Sequence, residues 1–331
     1  MKFICGPMAT ISHEAFRRCV EAFGFCDEYF TEMINASSLL NMGPFEKFYL
    51  MNGTVEDKIV WQLTGWDGVT MGKAASFLCT QGGLGIDINM GCSAPQIYKL
   101  GAGIGWMLKP ISETAQCVRE VKNAILEHEK STGEHLRLSV KCRLGKDDFK
   151  DNDFFSFTDM LVSEGVELIT LHARTIREKP RTYPRYAYVQ ELCSRYKNID
   201  VYLNGFVKDK ASYEYARKMA PDAKGMMIAT QAAVEPWIFR KLSNIELNDN
   251  SNRITVDRKL VAHKFLEDMV ECQPEEFWKT RVQRFFAYYC KQFEFAHYFG
   301  SKMMNYFGME DSHNKIDSYF DEMPGEQFIE I

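Results

Sequence analysis

Leu84-Gly85-Ile86-Asp87-Ile88-Asn89-Met90-Gly91-Cys92-Ser93-Ala94-Pro95, followed by Gly101-Ala102-Gly103, is the stretch on which the fold turns. It begins as a short apolar strand over 84–88. It then runs into a glycine-rich loop with one cysteine where the strand stops. When parallel strands close into a barrel, reacting groups stand at such strand ends. A thiol there can donate a proton, act as a nucleophile or simply fill space, and the other strand ends decide between these.

Outward from this stretch, short apolar runs alternate with longer amphipathic ones as far as residue 240. Strands are predicted over 2–5, 28–31, 59–63, 84–89, 136–141, 168–171, 200–203 and 225–228. Helices are predicted between them. One starts at Ser112-Glu113 and carries Val118, Val121 and Ile125 on one face; another runs from Asp209 to Met219. This alternation predicts an α/β chain, a (β/α)8 TIM barrel followed by a small all-helical C-terminal domain. A doubly wound sheet would want a glycine fingerprint after its first strand, and Gly6-Pro7-Met8-Ala9-Thr10 is not one. Asn248-Asp249-Asn250-Ser251-Asn252 is a polar break, after which 255–305 read as helices only. The expected division is 1–243 for the barrel and 252–331 for the helical domain with an acidic tail.

A chain of 331 residues with 46% hydrophobic and 13% aromatic side chains can bury two cores. No apolar run reaches the length of a bilayer span, and the first residues meet Gly6-Pro7 too soon for a signal peptide. The ten cysteines include no C-x-x-C pair. Neither a metal site nor a disulfide framework is expected, and a reduced, cytoplasmic, monomeric protein without a membrane partner is. The net charge of −5 argues only mildly against a nucleic-acid partner, because acidity gathers in the tail. There Glu310, Asp311, Asp317, Asp321, Glu322, Glu326 and Glu330 face one lysine, Lys315.

The other strand ends carry polar groups in order. Gln62 has an amide suited to a heterocyclic imide edge, and equally to a paired place at the rim. Lys141 closes an apolar strand, where it either meets an anion or snorkels to water. His172 and Arg174 share one face of an extended chain, which fits anion or ring binding better than core packing. Asn204-Gly205-Phe206 and Ala229-Thr230 end the last two strands, where many barrels hold a phosphate.

Read together, these residues resemble the dihydrouridine synthase family. The matching pieces are Pro7-Met8-Ala9, Phe16-Arg17, Thr31-Glu32-Met33, Gln62-Leu63-x-Gly65 and Asn89-x-Gly91-Cys92 with Gly101-Ala102-Gly103. They continue with Lys141-x-Arg143-x-Gly145, Leu171-His172-x-Arg174-Thr175, Asn204-Gly205 and Glu235-Pro236-Trp237-Ile238-Phe239. The resemblance covers 3–241. It implies a flavin mononucleotide (FMN) enzyme, with NADPH as reductant, that reduces uridine in RNA to 5,6-dihydrouridine. Hydride passes from reduced FMN to C6 of the base and a proton passes from Cys92 to C5. By the same resemblance Asn89 holds the base edge. Gln62 and Lys141 contact the flavin ring with Pro7, Met8 and Ala9 against it, and His172, Asn204, Gly205 and Phe206 lie along the ring or ribityl phosphate. Two departures stand out. Ser93 follows Cys92 where the family has proline, and Ala229-Thr230 replaces the family's Gly-Arg, so the arginine that would pair the flavin phosphate is absent.

A flipped base would require phosphate contacts around the barrel mouth. Arg143, Arg174, Arg177 and Lys179 are the expected substrate-binding cations, with Arg181 and Arg185 in the same loop. In the tail, Lys279, Arg281, Arg284, Lys291 and Lys302 alternate with aromatics expected to be mostly core. The expected partner is tRNA, with ribosomal RNA as a second candidate. The rival expectations are a flavin barrel acting on a small molecule and a catalytically silent RNA-binding relative.

Overall fold

The apolar runs pair as parallel strands: Lys2–Cys5 (β1), Glu28–Phe30 (β2), Ile34–Asn35 (β3), Ile59–Thr64 (β4), Gly85–Met90 (β5), Arg137–Gly145 (β6), Leu168–Thr175 (β7), Asp200–Asn204 (β8) and Gly225–Ile228 (β9). The hydrogen-bonded order β2-β1-β9-β8-β7-β6-β5-β4, with β4 returning to β2, closes an eight-stranded barrel. Closure leaves no unpaired strand edge. The computed structural model describes residues 1–146, 150–178, 182–248 and 253–331.

The two-residue β3 was not predicted. It continues β2 along β4 with a one-residue slip, since Phe30 is opposite Val60 but Ile34 is opposite Leu63. Thr31 fills the irregularity, its hydroxyl accepting the Gln62 N–H at 3.0 Å. β6 and β7 run four residues beyond their expected ends. Arg143, His172 and Arg174 are therefore strand residues as Lys141 is, with Arg143 opposite His172 and Gly145 opposite Thr175.

Alternate residues point inward and form layers. At the N-terminal end, the buried Glu28 carboxylate accepts from Lys2 (3.0 Å), from Tyr202 (2.7 Å) and from Arg137 in a bidentate pair (2.6 and 3.0 Å). Burial alone would raise the Glu28 pKa, but the Arg137 pair reverses this and holds it below the ordinary value. Above this layer lies an apolar plug of Ile4, Phe30, Val60, Leu168, Tyr202 and Met227. The layer near the C-terminal mouth is polar and is described below.

Local signals set the helices. Asp67 caps Gly68–Cys79 by accepting the Thr70 N–H at 2.8 Å. Ile111–Thr132 stops at Gly133, whose φ of +79° suits glycine. Asp209 and Ser212 form a capping box for Lys210–Met219.

The described residues fall into two units. One comprises Met1–Pro7, Asp27–Leu50 and Glu56–Ile228; the other comprises Met8–Cys26, Met51–Val55 and Ala229–Ile331. This differs from a single cut near 243–252, because the second unit draws on three stretches of chain. Its helix Glu14–Glu21 carries the ion pair Glu14–Arg17 (3.0 Å) and packs Phe16 on Phe285. The aromatic core includes Phe265 stacked on Phe285 at 3.7 Å between centroids and Phe299 stacked on Tyr319 at 4.1 Å.

One expectation about the tail is corrected. Thr255–Asp257 (β10) is a strand rather than helix, and it pairs antiparallel with Phe328–Glu330 (β11). The acidic stretch is ordered as the helix Met309–Glu322 and that strand. Several of its acids are paired, Glu322 with Lys302 and Asp317 with Lys259 among them. Among the described residues no helix is long and apolar enough to cross a membrane, and no group of three or more His, Cys, Asp or Glu is placed to hold a metal.

Removing Arg137 leaves the buried Glu28 carboxylate without its bidentate partner, with only Lys2 and Tyr202 to meet it, a change that costs about 3 kcal/mol. Arg137→Leu is expected to lose that much in urea unfolding at pH 7. The sign follows from the depressed Glu28 pKa. The pair's stabilisation is full above the unfolded carboxyl value of about 4.3 and is lost as pH falls through the lower folded value. The variant's deficit should therefore shrink in acid.

Candidate active site

At the C-terminal end of β5, Cys92 is the one cysteine of the ten that is not buried. Three residues fix its loop. Asn89 Oδ1 accepts the Cys92 N–H at 3.0 Å and, more weakly, the Gly91 N–H at 3.3 Å. Ile104 N donates to Cys92 O at 3.0 Å. Arg143 Nε donates to Gly91 O at 3.0 Å. Gly103 permits the close approach: its φ is +56°, and a Cβ there would lie 2.5 Å from Cys92 O.

Beneath the loop Gln62, Asp87, Asn89 and Ser139 are linked by hydrogen bonds. Gln62 Nε2 donates to Asp87 Oδ2 at 2.7 Å, Asn89 Nδ2 donates to Gln62 Oε1 at 2.9 Å, and Ser139 Oγ donates to Asp87 Oδ1 at 2.8 Å. Gln62 and Asp87 are wholly buried. Burial pushes the Asp87 carboxyl up to about 6, against the Gln62 and Ser139 hydrogen bonds that lower it. The Gln62 amide is thus spent within the barrel on both sides, and Asn89 is committed to the Cys92 loop.

A cationic cluster faces the same mouth. Among the described residues Lys141 Nζ has no acceptor within hydrogen-bond reach, and burial, with Arg143 next in effect, lowers it to about 8. Burial lowers Arg143 too, aided by the charge of Arg174. Burial, then Arg143, Lys141 and Arg174, brings His172 down to about 2, so it is a neutral imidazole. Its Nε2 lies 2.9 Å from Arg174 Nη1, and as a neutral ring it accepts that hydrogen bond. Cys92 lies within electrostatic reach of both Lys141 and Arg143.

The strand end after β8 completes this rim. Asn204 Nδ2 donates to Met227 O at 2.8 Å. Gly205 has φ +108°, and a Cβ there would meet the His172 ring at 2.9 Å. Phe206, at φ +65°, packs on Tyr183 at 4.5 Å.

Gln62, Asn89, Cys92, Lys141, Arg143, His172, Arg174, Asn204, Gly205 and Phe206 thus come together in the first unit, and Pro7 lies just past β1. Met8, Ala9, Ala229 and Thr230 belong to the second unit. There the Met8 N–H donates to Ser12 Oγ at 2.9 Å, and Thr230 opens the short helix Thr230–Val234. The expected cationic loop is thinner than its sequence implies. Arg174 is buried and braces the Thr182 carbonyl, Arg185 pairs with Glu178 at 2.9 Å, and Arg177 is exposed. Lys179 and Arg181 lie outside the described residues. In the tail Arg281 is buried, with Phe277 at 4.8 Å, and Lys302 pairs with Glu322. Lys279, Arg284 and Lys291 remain exposed.

Asp87 and Ser139 were not anticipated as site residues. Their signal is alternation: Asp87 and Asn89 flank Ile88, and Ser139, Lys141 and Arg143 alternate with apolar residues, a pattern that puts every polar group on one face.

A closed parallel barrel with a thiol and a cationic cluster at its C-terminal mouth has the architecture of a TIM-barrel enzyme. An old yellow enzyme homologue from Zymomonas mobilis shares the fold at TM-score 0.51, with 10% identity over 74% of this chain and 88% of that one. The dihydrouridine synthase (Dus) family matches residues 4–323, and the chain belongs to that family. A Xenopus tropicalis protein named tRNA-dihydrouridine(47) synthase NAD(P)(+)-like is 30% identical over 243 residues, which are 73% of this chain and 36% of that protein. This chain therefore spans little more than a third of the length of such vertebrate relatives. A probable tRNA-dihydrouridine synthase of Aquifex aeolicus is 28% identical, over 72% of this chain and 71% of its own length. One from Staphylococcus aureus is 25% identical over 99% of this chain and 96% of its own length.

Because Cys92 alone is accessible, Ellman's reagent should titrate one thiol in the native protein and ten in denaturant. Cys92→Ala should show none in the native state.

Proposed function

We propose that this chain reduces uridine in RNA, with tRNA as substrate, to 5,6-dihydrouridine, using FMN and NADPH. The observation that carries the proposal is the position of Cys92: the accessible thiol stands at a barrel mouth within electrostatic reach of the cations Lys141 and Arg143. The names of the relatives support the choice of tRNA.

The residues present fit a flavin. Lys141, Arg143 and Arg174 crowd positive charge at the mouth, and the pKa of each is lowered by burial, further for Lys141 and Arg143 by a neighbouring cation. An anionic ring edge or phosphate would relieve both effects. Gly205 leaves room where any side chain would strike His172. Lys141, His172, Asn204, Gly205 and Phe206 would hold the cofactor, with Pro7 as a further contact. Reduced FMN, when bound, supplies a hydride for C6 of the uracil.

The protein's own part is the proton. Hydride addition at C6 leaves an enolate over C5, C4 and O4, and Cys92 donates its proton to C5 as general acid. Arg143 ties the thiol loop through the Gly91 carbonyl and, with Lys141, places positive charge where the enolate and then the thiolate develop. Neutral His172 accepts from Arg174 and so directs that guanidinium. Exposed Arg177 and the tail cations Lys279, Arg284 and Lys291 would take RNA phosphates, with Lys179 in the same role.

The test is to map dihydrouridine in tRNA incubated with the protein, FMN and NADPH. The wild type should form it. Cys92→Ala should retain flavin but reduce uridine about a hundredfold more slowly, the scale of a lost general acid. Unaltered turnover by that variant would refute the assigned role. Lys141 is cationic below about pH 8 and neutral above it. The affinity of flavin-free protein for added FMN, read by fluorescence quenching, should therefore fall as pH rises through 8. Lys141→Met should flatten that profile.

A further inference from the structure

We propose that Asp87 is a positioning residue: its buried carboxylate sets the direction of a two-amide chain that ends on the backbone of Cys92. The inference rests on the proposed role of Cys92 for its catalytic consequence, but not for its structural one.

An ionised carboxylate has acceptors only. Asp87 Oδ1 takes the Ser139 hydroxyl at 2.8 Å, and Oδ2 takes Gln62 Nε2 at 2.7 Å. The second contact turns Gln62 so that its Oε1 faces Asn89, which must answer with Nδ2, at 2.9 Å. That leaves Asn89 Oδ1 to receive the Cys92 N–H at 3.0 Å. Reversing Gln62 lays its Oε1 on the carboxylate and its Nε2 against Asn89 Nδ2, and reversing Asn89 lays its Oδ1 against Gln62 Oε1 and its Nδ2 against the Cys92 N–H. An amide's orientation is ordinarily ambiguous, but here a group with no donor determines both. Gln62 and Asp87 are wholly buried, so water cannot replace a lost link. Asp87 titrates near 6, so at pH 8 both of its oxygens are acceptors.

Cys92 is the one partly exposed thiol, so its alkylation reports the state of the loop without flavin or RNA. The experiment uses the full chain at pH 8. Iodoacetamide rates at Cys92 are read by mass spectrometry, alongside kcat and KM for tRNA. Asp87→Leu removes the acceptor while keeping similar volume, and the freed loop exposes the thiol. Alkylation at Cys92 should rise by about tenfold and kcat fall by about tenfold or more, with KM for tRNA within about twofold. The label should stay confined to Cys92, because a general loosening would expose the nine buried thiols. Asp87→Asn restores an acceptor toward Gln62 and a donor toward Ser139, and it should recover most of both changes.

Wild-type alkylation in folded Asp87→Leu would overturn the proposal, as would an Asp87→Asn as impaired as Asp87→Leu. If Asp87→Leu does not fold, Gln62→Met cuts the same chain one link later and carries the same expectation. If the wild type reduces no uridine, the functional proposal fails, and the alkylation rates still decide this one.

Discussion

Pairing of β1 with β9, over the four rungs from Lys2–Gly225 to Cys5–Ile228, is the constraint on which the rest of the structure depends. It closes the sheet, and a closed sheet has only an inside and an outside. Strand alternation then sorts every residue between them. Inside, the one carboxylate at the N-terminal end is paired with cations, the middle is apolar, and the polar layer near the other mouth contains more cations than acids. Outside, the apolar partners of those polar residues, such as Cys142 and Ala173, are buried.

The two polar layers are built differently. Glu28 is matched by Lys2, Arg137 and Tyr202 and is chemically quiet. At the mouth, Asp87 spends its hydrogen bonds on Gln62 and Ser139, while Lys141 is left without an acceptor among the described residues. A protein interior tolerates such a charge only at a cost, and sites that bind or react are where that cost is commonly met. The same layer therefore combines a rigid part, the amide chain beneath Cys92, with an electrostatically unsatisfied part beside it.

Two departures from the family pattern gain a physical context. Ser93 in place of proline removes a fixed backbone angle just after the thiol. The loop is nevertheless held at Cys92 on both its N–H and its carbonyl, by Asn89 and Ile104. Ala229-Thr230 removes a guanidinium, yet three cations already crowd the mouth from β6 and β7 alone.

Much was legible in the sequence because it is local. Apolar runs at barrel spacing gave the strands, and the polar residues that end them gave Gln62, Cys92, Lys141, His172 and Asn204. Asp209 announced a helix start. The remainder depended on contacts between residues far apart in the chain. Gln62, Asp87, Asn89 and Ser139 become one network only when β4, β5 and β6 lie side by side. No single segment shows that Gln62 is spent internally or that Arg174 and Arg281 are buried. The stretch 8–26 reads as part of the barrel run, yet it falls with the helices of residues 229–331. Sequence by itself determined which residues could be strands, and which side chains could carry charge or a proton, because these are properties of short segments. Tertiary structure alone decided which of those groups are already satisfied by one another and which are left to meet something else, because satisfaction depends on partners that only closure of the barrel brings within reach.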